Sequence, residues 1–268
     1  VKEVEAIKEE IRDIIERYLE IEDIWGCVPS FANPVKEIPI ASDDDVCEVV
    51  KRLKEAWNIG EDGILSVTDL LESKNIKVVE IKADSSFDGL SGYVNNDENM
   101  PFVVVNKSFD VERLRFTGLH ELGHLVMNLP EEMEKKEKER LCNLFASEML
   151  ISRDTFVDVL GERRSDISLQ ELKVLQAVYG ISVDALMFKA KTVGVISESK
   201  YTSFCIRKNK SLAFKDAVER SSYRGVEESS RFDRLVYRAL ASDMISCSKA
   251  AVLLNEPMEE VKNKLELV

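Results

Sequence analysis

Apolar residues recur at intervals of three and four in many segments of the chain, a spacing typical of amphipathic helices. In the first such segment, seven apolar side chains between Val4 and Leu19 follow this spacing. Serine caps open several other segments, as Ser42 does ahead of three consecutive aspartates. Together these signals predict helices over residues 2–22, 42–57, 66–73, 110–129, 131–151, 168–179, 182–193, 231–240, 246–254 and 258–265.

The pattern changes between residues 77 and 105, where short runs of β-branched and aromatic residues are bounded by Gly, Asn, Asp or Pro. These runs predict three strands, at Lys77–Ile81, Leu90–Val94 and Phe102–Val105. The fold class expected is therefore α+β, with a small three-stranded sheet packed on helices and helical additions at the C-terminal end. Within those additions, two short helices around Gly180, over residues 168–193, have the order of a helix-turn-helix.

Composition narrows the class of protein. The chain has 268 residues, of which 44% are hydrophobic and 32% are charged, as in an ordinary globular protein. No apolar run approaches the ~20 residues that span a bilayer, so we expect no membrane association. The first residues are too charged for a signal peptide, and the five cysteines (Cys27, Cys47, Cys142, Cys205, Cys247) form no C-x-x-C pair. We therefore expect reduced thiols and a cytoplasmic location.

The net charge of −13 makes the chain a poor nonspecific binder of nucleic acid, because phosphates would be repelled. Residues 200–238 depart from this balance, with ten basic and five acidic side chains. The simpler interpretation is a solvated linker with neighbouring helices. A docking surface for an acidic partner is the alternative.

Two histidines occur in the whole chain, and they lie in the sequence His120-Glu121-Leu122-Gly123-His124. On a helix this spacing places both imidazoles on one face, where they can converge on one metal ion. Glu121 lies beside that face, where its carboxylate can act as a general base toward a metal-activated water. Two histidines placed at random would lie four residues apart only about once in 140 arrangements, so accident is a poor explanation.

A catalytic zinc usually has three protein ligands, and no third histidine exists. The next predicted helix offers an acid or, less favourably, a thiol: Glu131, Glu132, Glu134, Glu137, Glu139, Cys142 and Glu148. Glu139 is favoured because it lies where the charged half of that helix gives way to its apolar half. Cys142 is the second choice.

The residues RFTGLHELGHL (115–125) and ERLCNLFASEML (139–150) resemble the motifs of the ImmA/IrrE metallopeptidase family. Its usual pattern is H-E-L-G-H followed by E-x-x-A-N-x-F-A-x-x-L-L. The resemblance, which covers about residues 45–205, implies a gluzincin-like core with Glu139 as the third metal ligand. It also implies that Asn143, one helical turn from Glu139, is a second-shell partner of the ligands. Cys142, Met149 and Ser152 depart from the family pattern without touching a ligand.

The resemblance also implies a function: site-specific cleavage of a cognate XRE-type repressor or an antitoxin-like partner, which relieves repression. Long members of the family carry a DNA-binding domain before the peptidase, and we expect any DNA contact to come from such a domain upstream of Val1. The expected organisation is a connector (1–41), a metallopeptidase core (42–160) and a helical C-terminal region (161–268).

Several alternatives remain open at this point. Zn²⁺ suits two imidazoles and a carboxylate, but Mn²⁺ is possible. Tyr93 and Arg153 are candidates for stabilising the oxyanion, and the strand around Gly89, Gly92 and Tyr93 is a candidate edge for binding an extended substrate. The rival to a peptidase is a non-catalytic regulatory module with a structural or vestigial metal site, although such a site would not need Glu121.

Overall fold

A computed structural model describes residues 2–26, 30–97 and 99–265 of the chain. It contains three strands: β1 (Lys77–Ile81), β2 (Gly89–Tyr93) and β3 (Pro101–Asn106). The helices before and around the sheet are α1 (Lys2–Ile24), α2 (Asp43–Trp57), α3 (Val67–Ser73), α4 (Val111–Val126), α5 (Lys135–Leu150) and α6 (Arg153–Leu160). Those that follow are α7 (Leu169–Tyr179), α8 (Val183–Thr192), α9 (Glu198–Lys210), α10 (Leu212–Glu219), α11 (Arg231–Ala241), α12 (Cys247–Leu254) and α13 (Met258–Lys264).

The sheet is mixed, with strand order β1-β3-β2. β3 lies in the centre, parallel to β1 and antiparallel to β2, so that Val104 pairs with Val79 on one side and Leu90 on the other. The α+β class and the three-stranded sheet are thus confirmed. β2 begins one residue earlier than predicted, and a 3₁₀ turn at Val94–Asn96 replaces its predicted end.

Both faces of the sheet are buried, because successive side chains along each strand point to opposite faces. Val79 and Val104 belong to a cluster with Ile11 of α1, which covers one face. Val78 and Val103 belong to the main core, which includes Leu119 and Leu122 of α4 on the other face. The side-chain period of two in a strand therefore places the sheet between α1 and the helix that carries both histidines.

Two cores account for most of the packing. The main core takes buried side chains from Phe31 to Val218 and so crosses the predicted boundary at residue 160. The second joins Ile21 of α1 to α11, α12 and α13. Of the described residues, no helix has both the length and the apolar content needed to cross a membrane.

The caps predicted from the sequence form as expected. Ser42 with Asp45, and Ser168 with Glu171, make reciprocal capping boxes, and Gly180 ends α7 in the left-handed conformation (φ 60°). Two helix ends differ from the prediction by three or more residues. α4 stops at Val126 because the next residues turn extended and pair with Pro39, and α5 begins at residue 135 rather than 131.

Over residues 200–238, where a solvated linker with neighbouring helices was predicted, the helices form, but the irregular segment between them is shorter and is tied to the core. Most of residues 198–219 form α9 and α10, and α6 is a further helix that the sequence reasoning missed.

Residues 220–230, which we call the strap, have no regular structure but run across the core. Arg115 of α4 is fully buried and donates to Glu227 of the strap, whose carboxylate also accepts the backbone N–H groups of Val67 and Thr68.

Candidate metal centre

Helix α4 carries the two histidines and is held tightly against the sheet. Gly89 of β2 makes this approach possible, because a Cβ there would lie 2.6 Å from Thr117 Cγ2 and 2.6 Å from Val104 O. Gly123 has the same role on the side of α5, where a Cβ would lie 3.2 Å from Phe145 Cδ1. The motif is therefore clamped between β2 and α5, and its side chains have a defined direction.

Three side chains from α4 and α5 converge at one point. His120 Nε2 lies 3.2 Å from His124 Nε2 and 3.1 Å from Glu139 Oε2, while His124 Nε2 lies 3.6 Å from the same oxygen. The cluster opens to solvent, since the Glu139 side chain is 42% exposed and that of His124 28%. Among the described residues, this is the cluster of His, Cys, Asp and Glu with the spacing of a metal site.

The donor set fits a divalent cation. Four ligands at about 2.0–2.1 Å from a tetrahedral zinc lie roughly 3.3–3.4 Å apart, close to the three separations observed here. His120 Nδ1 lies 2.9 Å from Asn143 Oδ1, so this nitrogen carries the proton and donates. The Nε2 of His120 then carries a lone pair and lies 3.2 Å from His124 Nε2, so that a cation between the two nitrogens would have a lone pair from each once His124 is also deprotonated there.

Glu121 lies beside the cluster and is only 8% exposed. Its Oε2 accepts a hydrogen bond of 2.7 Å from Ser91 Oγ on β2. This contact holds the carboxylate in one orientation and leaves its other oxygen available to accept a proton. The sequence reasoning did not find Ser91, although the alternation Gly89, Ser91, Tyr93 placed all three residues on one face of the strand.

The other predicted ligands lie elsewhere. Cys142 is fully buried in the main core, and burial raises the pKa of its thiol to about 12, so it remains protonated rather than becoming a thiolate ligand. Glu148 is buried at the other end of α5 and pairs with Lys189. Cys27 lies outside the described residues.

Neither oxyanion candidate is supported by its position. Arg153 follows the C-terminal end of α5, and the helix from Glu139 to Leu150 alone spans about 16 Å, so the suggestion of Arg153 is wrong. The hydroxyl of Tyr93 donates to Leu125 O at 2.8 Å, and this bond would have to break before Tyr93 could donate to an oxyanion.

A groove of about 540 Å³ adjoins His124 and is lined by Tyr93 and by part of the segment before α2. That segment is anchored on both sides of the site. Asn33 Nδ2 donates to Val126 O at 2.9 Å, and Phe31 N donates to Asn99 O at 2.9 Å. Residues 30–40, predicted as part of a connector, therefore form one wall of the groove beside the cluster.

Two histidines and a glutamate from adjacent helices, with a second glutamate next to the first histidine, form the arrangement by which many metallopeptidases hold a metal ion. Residues 71–191 match the family model Peptidase_M78, described as the IrrE N-terminal-like domain. The match supports the assignment of this part of the chain to the ImmA/IrrE family, which the motifs predicted. The match contains the whole cluster as well as α7 and most of α8. A comparison with curated proteins gives no significant match.

Proposed function

We propose that this protein is a zinc-dependent endopeptidase with a gluzincin-like centre. In this proposal His120, His124 and Glu139 hold the metal, Asn143 orients His120, and Glu121 is the general base. The observation that carries it is the position of Glu121, which Ser91 holds beside a cluster open to solvent. A purely structural site would not require a buried carboxylate next to its ligands.

The side chains of the chain have separable roles in this reaction. A divalent cation, when bound, supplies Lewis acidity that polarises a peptide carbonyl and acidifies water. Glu121 takes a proton from the attacking water and later delivers it to the departing amine, a role that suits its free carboxylate oxygen. Ser91 restrains the carboxylate through a hydrogen bond to its Oε2. The His₂Glu donor set favours zinc, with manganese as the alternative.

The edge of the sheet offers a place for an extended substrate. β2 is the outer strand of the sheet, and its Gly89 and Ser91 face α4, the helix of the cluster. A peptide that adds a strand to β2 would gain backbone hydrogen bonds and would run past Glu121. This geometry supports an endopeptidase better than an enzyme that requires a free chain end.

Membership of the family supports a regulatory protein as substrate. We infer that the partner is a cognate XRE-type repressor or an antitoxin-like protein, whose cleavage in the cytoplasm relieves repression. Any contact with DNA would come through a domain outside residues 1–268.

The decisive experiment compares the chain with Glu121→Gln and with Glu132→Gln, a matched change at an exposed acid outside the cluster. Each zinc-loaded protein is incubated with the XRE-type repressor encoded nearest to its gene, and fragments are identified by mass spectrometry. Glu121→Gln should retain zinc and lose cleavage, whereas Glu132→Gln should behave as wild type. Cleavage by Glu121→Gln would refute the catalytic role, and stable binding without fragments by every variant would instead favour the regulatory module.

A further inference from the structure

A second groove, of about 640 Å³, lies on the other side of β2 from the metal cluster. Its walls are mainly apolar. Helix α1 contributes Ile15 and Leu19, and the sheet contributes Leu90 and Phe102. These side chains are only half-buried, so the groove presents apolar surface that is open to a ligand.

The backbone of β2 connects this groove to the cluster. Asn106 N–H donates to Asp88 O and Val94 N–H donates to Met100 O, so the even-numbered residues of this segment direct their backbone groups toward β3. The N–H and C=O groups of Gly89 and Ser91 therefore point to the outer edge. Within the described residues, β2 pairs with β3 alone.

Side chains on a strand added at this edge must alternate between the two faces of the sheet. A residue opposite Ser91 would direct its side chain to the α4 side, toward Glu121. Its two neighbours would direct theirs to the α1 side, over the groove. Tyr93 lines both grooves, so both reach the same end of β2.

Gly92 lets an aromatic ring extend toward the outer edge of β2. It has no side chain, and a Cβ on its α1 face would be 3.0 Å from Phe102 Cζ. The ring of Phe102 therefore lies over Gly92 and forms part of the groove next to the edge. Lys8, Arg12 and Glu16 of α1 also line the groove and give it a polar side of mixed charge.

We propose that this groove is a specificity subsite, which takes a large aliphatic or aromatic side chain of an extended polypeptide bound along β2. The inference rests on the proposed peptidase function and adds a rule for its substrates. In such a substrate, one residue directs its side chain toward the cluster. The residues immediately before and after it are apolar, so that apolar residues occur at every second position. Helix α1, which precedes the matched domain at residues 71–191, then takes part in choosing the substrate.

The test uses the full chain with Glu121→Gln, loaded with zinc, to select binders from a random dodecapeptide phage library. The selected peptides should carry Leu, Ile or Phe at alternate positions. In a synthetic copy, replacing one such residue by Asp should weaken binding at least about tenfold, measured by fluorescence anisotropy. Peptides without a two-residue apolar period would overturn the proposal.

Protein variants check the location of the subsite. Ile15→Asp should reduce affinity at least about tenfold, while Ile206→Asp, a matched change at an exposed position on α9, should leave it unchanged. Circular dichroism establishes that both variants are folded, and an Ile15→Asp protein that is folded and binds normally would refute the groove.

Cleavage separates the two proposals. If wild type does not cut the bound peptides, the peptidase function fails while the subsite stands. If it cuts peptides irrespective of their apolar residues, the subsite fails and the peptidase stands.

Discussion

The strap makes one contact with the core for which the loss of stability on mutation can be estimated. Glu227 lies in the strap, and its side chain is 2% exposed where it meets Arg115, which is fully buried. The guanidinium also donates to the backbone carbonyls of Ile64, Tyr179 and Gly180. Replacing Glu227 by Ala would leave these carbonyl bonds in place but would remove the negative charge that Arg115 faces.

Breaking a buried ion pair by removal of one partner costs about 3–5 kcal/mol, because the remaining charge is buried without compensation. Glu227→Ala also removes the acceptor for two N–H groups at the start of α3, at 2.9 and 2.8 Å. We therefore expect Glu227→Ala to lower the free energy of unfolding by an amount at the upper end of this range. Glu227→Gln keeps the shape and one acceptor oxygen, so a smaller loss of about 2–3 kcal/mol is expected.

Urea unfolding followed by circular dichroism measures the free energy of unfolding of each variant. Glu228→Ala is the matched control, since Glu228 is the exposed neighbour of Glu227 and should change stability by less than about 0.5 kcal/mol. Faster cleavage by trypsin at Arg224 would provide an independent sign that the strap has detached. A Glu227→Ala protein within about 1 kcal/mol of wild type would refute the conclusion that the strap is part of the core.

Three further outcomes are expected. Asn143→Ala should lower zinc affinity about 10- to 100-fold in competition with a chelating dye, because His120 loses its orienting acceptor, and unchanged affinity would contradict this role. Gly89→Ala should cost about 1–3 kcal/mol in urea unfolding, because its Cβ would lie 2.6 Å from α4 and β3 atoms, whereas Gly60→Ala, with nothing nearer than 3.9 Å, should be near neutral. Burial raises the pKa of Glu72, so its contribution to stability is present at low pH and lost as pH rises through the raised value. The free energy of unfolding of Glu72→Gln, relative to that of wild type, should therefore be more favourable at pH 7 than at pH 4. An equal difference in the free energy of unfolding at both pH values would refute this.

The sequence was sufficient for features that depend on neighbours along the chain. Most helices and their caps, the three strands and the convergence of His120 with His124 follow from periods of two or three to four residues. The change from charged to apolar residues, which marks where α5 enters the core, also favoured Glu139 among seven candidates, and in the structure Glu139 lies beside both histidines. The helix α9 was missed although Ser197 caps it, since its residues are too polar to show a clear apolar stripe. The helix α10 was missed although Ser211 caps it and Leu212, Phe214 and Val218 supply apolar side chains.

Only the tertiary structure decided which residues that are far apart in the sequence come into contact. Ser91 reaches Glu121 across 30 positions, and Glu227 reaches Arg115 across 112, and no local pattern marks either pair. The groove between α1 and β2 likewise depends on how a helix packs on a sheet edge formed 70 or more residues later. Local hydrogen bonding and hydrophobic periodicity are written in adjacent residues, whereas contacts between elements depend on how the whole core packs, which short-range periods do not encode.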